Sequence, residues 1–348
     1  MRITELLIDR ADLSRARLAT REAVVAEGQA AFAVESFALT ANNVTYAAHG
    51  VDMRYWDFYP APAGHGIVPV WGFGRCVESR VEGLAVGSRY YGYWPFADAA
   101  VLTVAKLSPR GFVDAAEHRC ELAKVYNGFA SLVPAMADEA RYALFRPLFL
   151  TSLLLDLAFA GGADTLLLAS ASSKTALGLA QLARARGTAR VVGLTSPHNR
   201  AFVEATGYYD EVASYADVAT MTLAGSVAFA DFAGNGAVRA AVHARFADAL
   251  TRTLVIGDTH WDIGGGTERL PGPRPEGFFA PTILQEQIAT HGQAAFDAQI
   301  DAKWTAFVAS TAAWLRIEDV DGLSSGQAAW TRLVSGDVDP AAGMIIRP

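Results

Sequence analysis

Cysteine is almost missing from this chain. Cys76 and Cys120 are the only two in 348 residues. They lie far apart and outside any CxxC or His/Cys spacing, so neither a disulfide framework nor a cysteine zinc site is indicated. A reduced cytoplasm is the location this scarcity predicts. Basic charge is short as well: 29 Lys and Arg stand against 36 Asp and Glu, for a net charge of −7. That balance leaves no general basic surface for nucleic acid or an anionic membrane. The N-terminal "MRITELLIDRADLSRAR" carries charges throughout and lacks the apolar core of a signal peptide. The most apolar run, "PLFLTSLLLDLAFAGGA", is interrupted by Asp156 and falls short of the ~20 apolar residues of a bilayer span. It reads as a buried helix. No internal repeat or low-complexity tract is found. The remaining class is a globular protein, 52% hydrophobic, with a small molecule as its partner.

At roughly 150 residues per domain the length suggests two domains. Residues up to about 110 read mostly as strands: "AAFAVESFALT" alternates, and "GIVPVWGFGRCVESRV" and "GSRYYGYWPFADAAVLTV" are aromatic and β-branched runs broken by Gly and Pro. Helical composition is expected from about Ala115. From Thr165 short apolar strands ("TLLLAS", "ARVVGLTS", "SVAFADF", "RTLVIGD") alternate with helical stretches, which predicts a parallel sheet covered on both faces. "LPGPRPEGFFAP" is a Pro- and Gly-rich break leading into an edge strand. A helical region then precedes a final capped helix and strand.

The turn after "TLLL" carries the most chemistry. Strand, tight turn and helix are the arrangement that holds a dinucleotide, where glycines give the tight turn, backbone approach to the pyrophosphate and close helix packing. Here the turn is Ser170, Ala171, Ser172, Ser173, Lys174 and Thr175, and only Gly178 follows in the helix. Small residues meet much of the steric demand. The hydroxyls and the ammonium add donors beside a helix N-terminus that already favours anions. The alternative is that Ser172 or Ser173 caps the helix and Lys174 is solvated. The P-loop pattern is not met, because Ser173 and Leu168 stand where that motif needs glycine, and this argues against an NTPase. The next strand ends in Thr195 and Ser196, with Arg200 beyond, instead of the acidic residue that holds a ribose; this favours NADP(H) over NAD.

The segment "LLLASASSKTALGLAQLARARG…RVVGLTSPHNRAFVEATGYYDEVASY" resembles the cofactor domain of the medium-chain dehydrogenase/reductase superfamily, in its zinc-free quinone-oxidoreductase and enoyl-reductase branch. The resemblance continues in order through "FALTANNVTYAAHG", "VPVWGFGRCVESRVEGLAVGSRYYGY", "GSVAFADFAGNGAVRAAV" and the terminal "GLSSGQAAWTRLVSGDVDPAAGMIIRP". The chain departs from the superfamily at the missing glycines and at Tyr208 and Tyr209. Its "SSK" loop also resembles that of a poorly characterised bacterial family of this fold.

The resemblance implies an α/β protein: a Rossmann-type doubly wound sheet (144–315) and a β-rich GroES-like catalytic domain (1–143), with 316–348 returning to the latter. It implies a homodimer, and NADP(H)-dependent reduction of an enone, quinone or enoyl thioester in the interdomain cleft. The region matching the superfamily's "GHE" zinc segment, "PVWGFGRC", has no His or Glu, so the reduction is expected to need no metal. Tyr46 is implied as the substrate-facing donor with Asn43 beside it. Thr151 is implied near the nicotinamide, Tyr215 near the adenosine phosphate, and Gly257 and Asp258 at a strand end lining the pocket. The bland readings are a barrel-wall tyrosine, a helix threonine bonded to its own turn and an ordinary strand end. His118 and His260 read as packing or surface residues, and Tyr126 and Asn127 as an insert shaping the substrate site. Two rivals stay open: a non-catalytic nucleotide or small-ligand binder, and a protein using Lys174 to grip another phosphorylated ligand.

Overall fold

The computed structural model describes residues 1–132, 137–256, 270–278 and 280–348. The chain divides into two compact units, Met1–Leu144 with Ile317–Pro348, and Phe145–Arg316. The first begins with β1 (Arg2–Asp9), β2 (Ala16–Glu22), β3 (Gln29–Leu39), α1 (Ala41–Ala48) and β4 (His65–Gly66). It continues through β5 (Pro69–Ser79), β6 (Arg89–Pro95), β7 (Ala99–Ser108), β8 (Gly111–Asp114), β9 (Gly128–Ser131) and the first turn of α2 (Glu139–Phe159). The second unit holds β10 (Thr165–Leu168), α3 (Lys174–Arg186), β11 (Arg190–Thr195), α4 (Arg200–Ala205), β12 (Glu211–Ser214) and β13 (Val227–Asp231). It ends with α5 (Gly236–Phe246), β14 (Leu250–Val255), β15 (Glu276–Gly277), α6 (Ala280–His291) and α7 (Gln293–Thr311). The chain closes with β16 (Arg316–Asp321), α8 (Leu323–Val334) and β17 (Ala342–Arg347).

In the first unit β3, β5, β6, β9, β8 and β7 pair in that order, and β7 pairs back onto β3 to close the sheet. One long strand serves both ends. Gln29 to Ala33 of β3 face β7, while its far end takes β17, with Met344 opposite Leu39. Bulges after Ala31 and Val34 bend β3 enough for both pairings. The core is aromatic: Phe112 stacks between Phe32 and Phe129, with ring centroids at 5.4 and 4.9 Å. The expectation of helix from Ala115 is corrected. Residues 115–132 form two short helical turns, Glu117–Arg119 and Lys124–Tyr126, followed by β9. The reason is tertiary: Arg119 is 1% exposed and lies 2.9 Å from the equally buried Asp114, and its carbonyl and side chain both bond Asn127. That network folds the segment back on β8 against its helical propensity.

In the second unit the sheet order is β12-β11-β10-β13-β14-β15, every pair parallel. The strands are short apolar runs because helices cover both faces. The order reverses between β10 and β13, and ligands of such sheets bind outside the carboxyl ends of the strands at that reversal. The Pro- and Gly-rich break ends in β15 at the sheet edge. α2 is longer than its apolar run. By length and composition it passes for a membrane span, yet 61% of its apolar window is buried within the chain. Asp156 sits 1% exposed in its last turns and pairs with Arg186 at 2.9 Å and Lys303 at 3.5 Å, tying α2 to α3 and α7.

Candidate functional site

The glycine-poor turn follows β10 at the sheet's reversal point. Ser170 adopts φ +53°, the left-handed region that favours glycine. Its strained backbone is held by a neighbour: the Ser170 N–H donates to the Tyr215 hydroxyl at 3.0 Å. One residue on, the Ala171 carbonyl accepts from the Tyr209 hydroxyl at 2.8 Å, and the Ala171 N–H donates to Leu194 O at 3.0 Å. Both tyrosines come from the region of β12. Room for the second one is made by Gly193 on β11, where an added Cβ would lie 2.9 Å from the Ala171 Cβ and the Tyr209 ring. The glycine demand has moved from the turn to the adjacent strand. Gly193→Ala is therefore expected to destabilise the protein by about 1–3 kcal/mol. Urea unfolding measures it, and an unchanged midpoint would contradict this fastening.

The remaining turn residues serve α3. Ser173 is its N-cap, accepting from the Ala176 N–H at 3.4 Å. Ser172 Oγ accepts from the Asn199 side-chain amide at 3.1 Å, in the short turn that follows Ser196. Lys174 opens the helix, half-buried, and the Thr175 carbonyl accepts from Ser152 Oγ at 2.8 Å. Ser152 belongs to α2, where Thr151 precedes it half-buried. A Cβ on Gly178 would come within 2.6 Å of Ser152 Oγ, so the fingerprint's close-packing glycine is retained, facing α2. Asp231, fully buried at the end of β13, accepts from the Ala233 and Gly234 N–H groups and pairs with Arg239 at 2.7 Å. Burial pushes the Tyr215 phenol up; the Ser170 N–H works against this, and the charge of Asp231 adds to it.

Ser170, Ser172, Ser173, Lys174, Thr175, Ser196 and Tyr215 thus gather around the carboxyl ends of β10, β11 and β12. Tyr215 is placed on the loop backbone. Arg200 is exposed and bound to Glu204 at 2.9 Å, and the charges of Asp217 and Glu211 act on it more weakly. Gly257, Asp258 and His260 lie outside the described residues. The sequence motifs do not single out Gly193, Asn199, Ser152, Asp231 or Arg239, and mark Tyr209 only as a departure from the superfamily. Gly193 carried a signal, since a glycine inside a strand marks close approach of another group.

These residues fit a dinucleotide at the diphosphate. The first turn of α3 leaves backbone N–H groups without intrahelical acceptors, among small side chains and one lysine. A 2′-phosphate would compete with Glu204 for Arg200, and exposed ion pairs of that kind are worth only about 0–1 kcal/mol.

The other candidate group is in the first unit. Thr40 caps α1, its N–H donating to Asn43 Oδ1 at 2.8 Å, while Asn43 Nδ2 donates to Pro69 O at 3.1 Å. Both ends of the Asn43 amide therefore fasten α1 to β5. Tyr46, one turn on, is 5% exposed and accepts from the Trp71 indole N–H at 3.2 Å. Its ring lies 4.6 Å from Tyr55 and 5.5 Å from Tyr93, and Tyr126 stacks on Tyr93 at 4.6 Å. Burial pushes the Tyr46 phenol well up, Tyr55 reinforces this, and the Trp71 N–H, with the polar ends of Asn42 and Tyr93 near it, opposes it. Such a group stays neutral, with its proton in place. Below the cluster the Arg119 guanidinium packs on the rings of Phe58 and Tyr59. His118 is exposed and its Nε2 lies 3.2 Å from Phe58 O. Among the described residues no group of three or more His, Cys, Asp or Glu is placed to hold a metal.

No curated protein matches the sequence. Among solved structures, the chain is similar to CurA from Vibrio vulnificus in complex with NADPH (TM-score 0.64, 13% identity, covering 99% of this chain and 98% of that one). It is also similar to the quinone oxidoreductase from Coxiella burnetii (TM-score 0.56, 15% identity, all of both chains) and to the CurK enoyl reductase (TM-score 0.57, 15% identity, 99% of each). The fold is accordingly that of the medium-chain dehydrogenases/reductases, a Rossmann-type sheet with a β-rich domain. Residues 37–339 match the family model described as "Protein of unknown function (DUF2855)", and over most of its length the chain belongs to that family.

Proposed function

We propose that this protein is an NADP(H)-dependent oxidoreductase that reduces a polarised double bond or carbonyl, an enone, quinone or enoyl thioester, without a metal. The observation that carries the reading is the left-handed Ser170 turn, held by Tyr215 and Tyr209 where the parallel sheet reverses, at the N-terminus of α3. Its likeness to an NADPH-bound structure supports the cofactor assignment. Bound there, NADPH would supply a hydride. Ser172, Ser173, Lys174 and Thr175 would hold its phosphates, with Ser196 and Arg200 toward the 2′-phosphate. Tyr46 would donate its O–H to the substrate oxygen, because its own oxygen already accepts from Trp71.

Lys174→Ala is expected to weaken NADPH binding about 10- to 100-fold, the loss of one charge-assisted contact. Fluorescence titration measures it, and unchanged affinity would remove Lys174 from the phosphate site. The activity is tested by following dihydronicotinamide absorbance with an enone and quinone panel. Oxidation of NADPH over any member supports the reductase. A second reading, a nucleotide-binding protein without hydride chemistry, is favoured by one feature: the cofactor turn departs from the glycine-rich fingerprint of the reductases. Binding of NADPH with no oxidation across the panel would select it.

A further inference from the structure

We propose that the aromatic cluster of the first unit is a binding site for an uncharged, planar aryl carbonyl compound, its ring against Trp71 and Tyr126 and its oxygen on the Tyr46 hydroxyl. The inference rests on the reductase reading for the fate of that compound; the binding itself does not depend on it. A cluster that existed only to fill volume would be made of phenylalanine, which buries no hydroxyl. Here four phenols converge. Tyr55 Oη lies 3.5 Å from Tyr126 Oη, and Tyr46 holds the Trp71 indole N–H. Tyr93 is fully buried, and its hydroxyl reaches only toward the Tyr46 oxygen without a well-formed hydrogen bond. An unmade bond in such a place is costly, and a ligand oxygen entering the cluster would relieve it directly or through Tyr46.

Converging O–H groups call for an acceptor, which sets the polar end of the ligand. Its body follows from the rings. Trp71, Tyr55 and Tyr126 are half-buried, so each leaves part of its ring uncovered beside the buried hydroxyls. Trp71 and Tyr126 lie 6.0 Å apart, and each is backed by a stacked neighbour, Tyr91 and Tyr93. Faces fixed in this way favour a flat, conjugated ring over a flexible chain. Charge is not offered: the cluster's cation, Arg119, is buried against Asp114 at 2.9 Å. An acyl thioester carrying phosphates, or an organic carboxylate, would find no counter-ion within the cluster.

The test is calorimetric titration of the full-length protein, without cofactor, using benzylideneacetone as the aryl enone. Mesityl oxide serves as an aliphatic enone and tetramethylammonium as a cation. Benzylideneacetone is expected to bind about 10-fold or more tighter than mesityl oxide, from ring contacts worth about 3- to 10-fold each. Trp71→Leu and Tyr126→Leu should each shrink that preference about 3- to 10-fold. Tyr46→Phe should weaken both enones, and unchanged near-ultraviolet circular dichroism would show that each variant is folded. Equal affinity for the two enones, preferential binding of tetramethylammonium, or folded variants that keep the full preference would overturn the site. Adding NADPH separates the two claims. Tight benzylideneacetone binding without reduction would overturn the reductase and support the site. Equally fast reduction of both enones would support the reductase and overturn the site.

Discussion

Replacing Tyr46 by phenylalanine is expected to lower kcat for enone reduction about 10²- to 10⁴-fold, the range for loss of a positioned proton donor. KM for NADPH should not change, because no residue of the cofactor loop is touched. The Tyr46 oxygen accepts from the Trp71 indole at 3.2 Å, so its own proton is the one left to give. Burial holds that proton on, while Trp71, Asn42 and Tyr93 are the groups that would stabilise the phenolate left after transfer. Because the phenol is pushed above its ordinary value near 10, kcat should be flat between about pH 6 and 9 as far as Tyr46 is concerned. A loss of less than threefold in a folded Tyr46→Phe protein would assign this tyrosine to the barrel wall.

A steep loss of stability above pH 10 is the second large effect expected. Burial raises the phenols of Tyr46, Tyr93 and Tyr209, and pushes Tyr59 up to about 12. The sign follows from proton counting. In the unfolded chain these groups ionise near pH 10, while the folded chain keeps them protonated, so the folded state binds more protons above that pH. Their contribution is complete below pH 10 and is lost as pH rises toward the folded values. Each such phenol costs up to about 1.4 kcal/mol per pH unit in that window, and the three buried ones, Tyr46, Tyr93 and Tyr209, together about 4. That slope would remove the marginal stability of an ordinary protein within a few pH units. Urea midpoints taken from pH 8 upward, with phenolate absorbance, measure it. Ionisation of all 11 tyrosines near pH 10 with constant midpoints would contradict the burial of these groups.

The parts of the fold readable in the sequence are those written in local pattern. "TLLL" and "VAFAD" are apolar runs bounded by turn residues, and they became adjacent strands of the parallel sheet. "GLSSGQAAWTRLV" became α8, with the terminal strand after it. The expected superfamily resemblance and fold class hold. What stayed hidden depends on partners distant in sequence. The segment after Ala115 has helical composition, yet a buried Asp114–Arg119 pair and Asn127 direct it into turns. Asn43 looked chemical by position, but both ends of its amide are hydrogen-bonded to backbone. Tyr209 read as an irregularity in a familiar motif. Its role became visible only with the Ala171 carbonyl above it and the space left by Gly193. The serine turn looked like a degraded fingerprint because the tyrosines that fasten it stand 38 and 45 residues further along the chain.

Whether that turn still holds a dinucleotide is the central question, and a titration of the purified protein with NADPH, against NADH and a control nucleotide, addresses it most directly. Quenching of tryptophan fluorescence that saturates with NADPH at micromolar concentration, and more weakly with NADH, is the expected result. No saturable binding at millimolar NADPH would contradict the account.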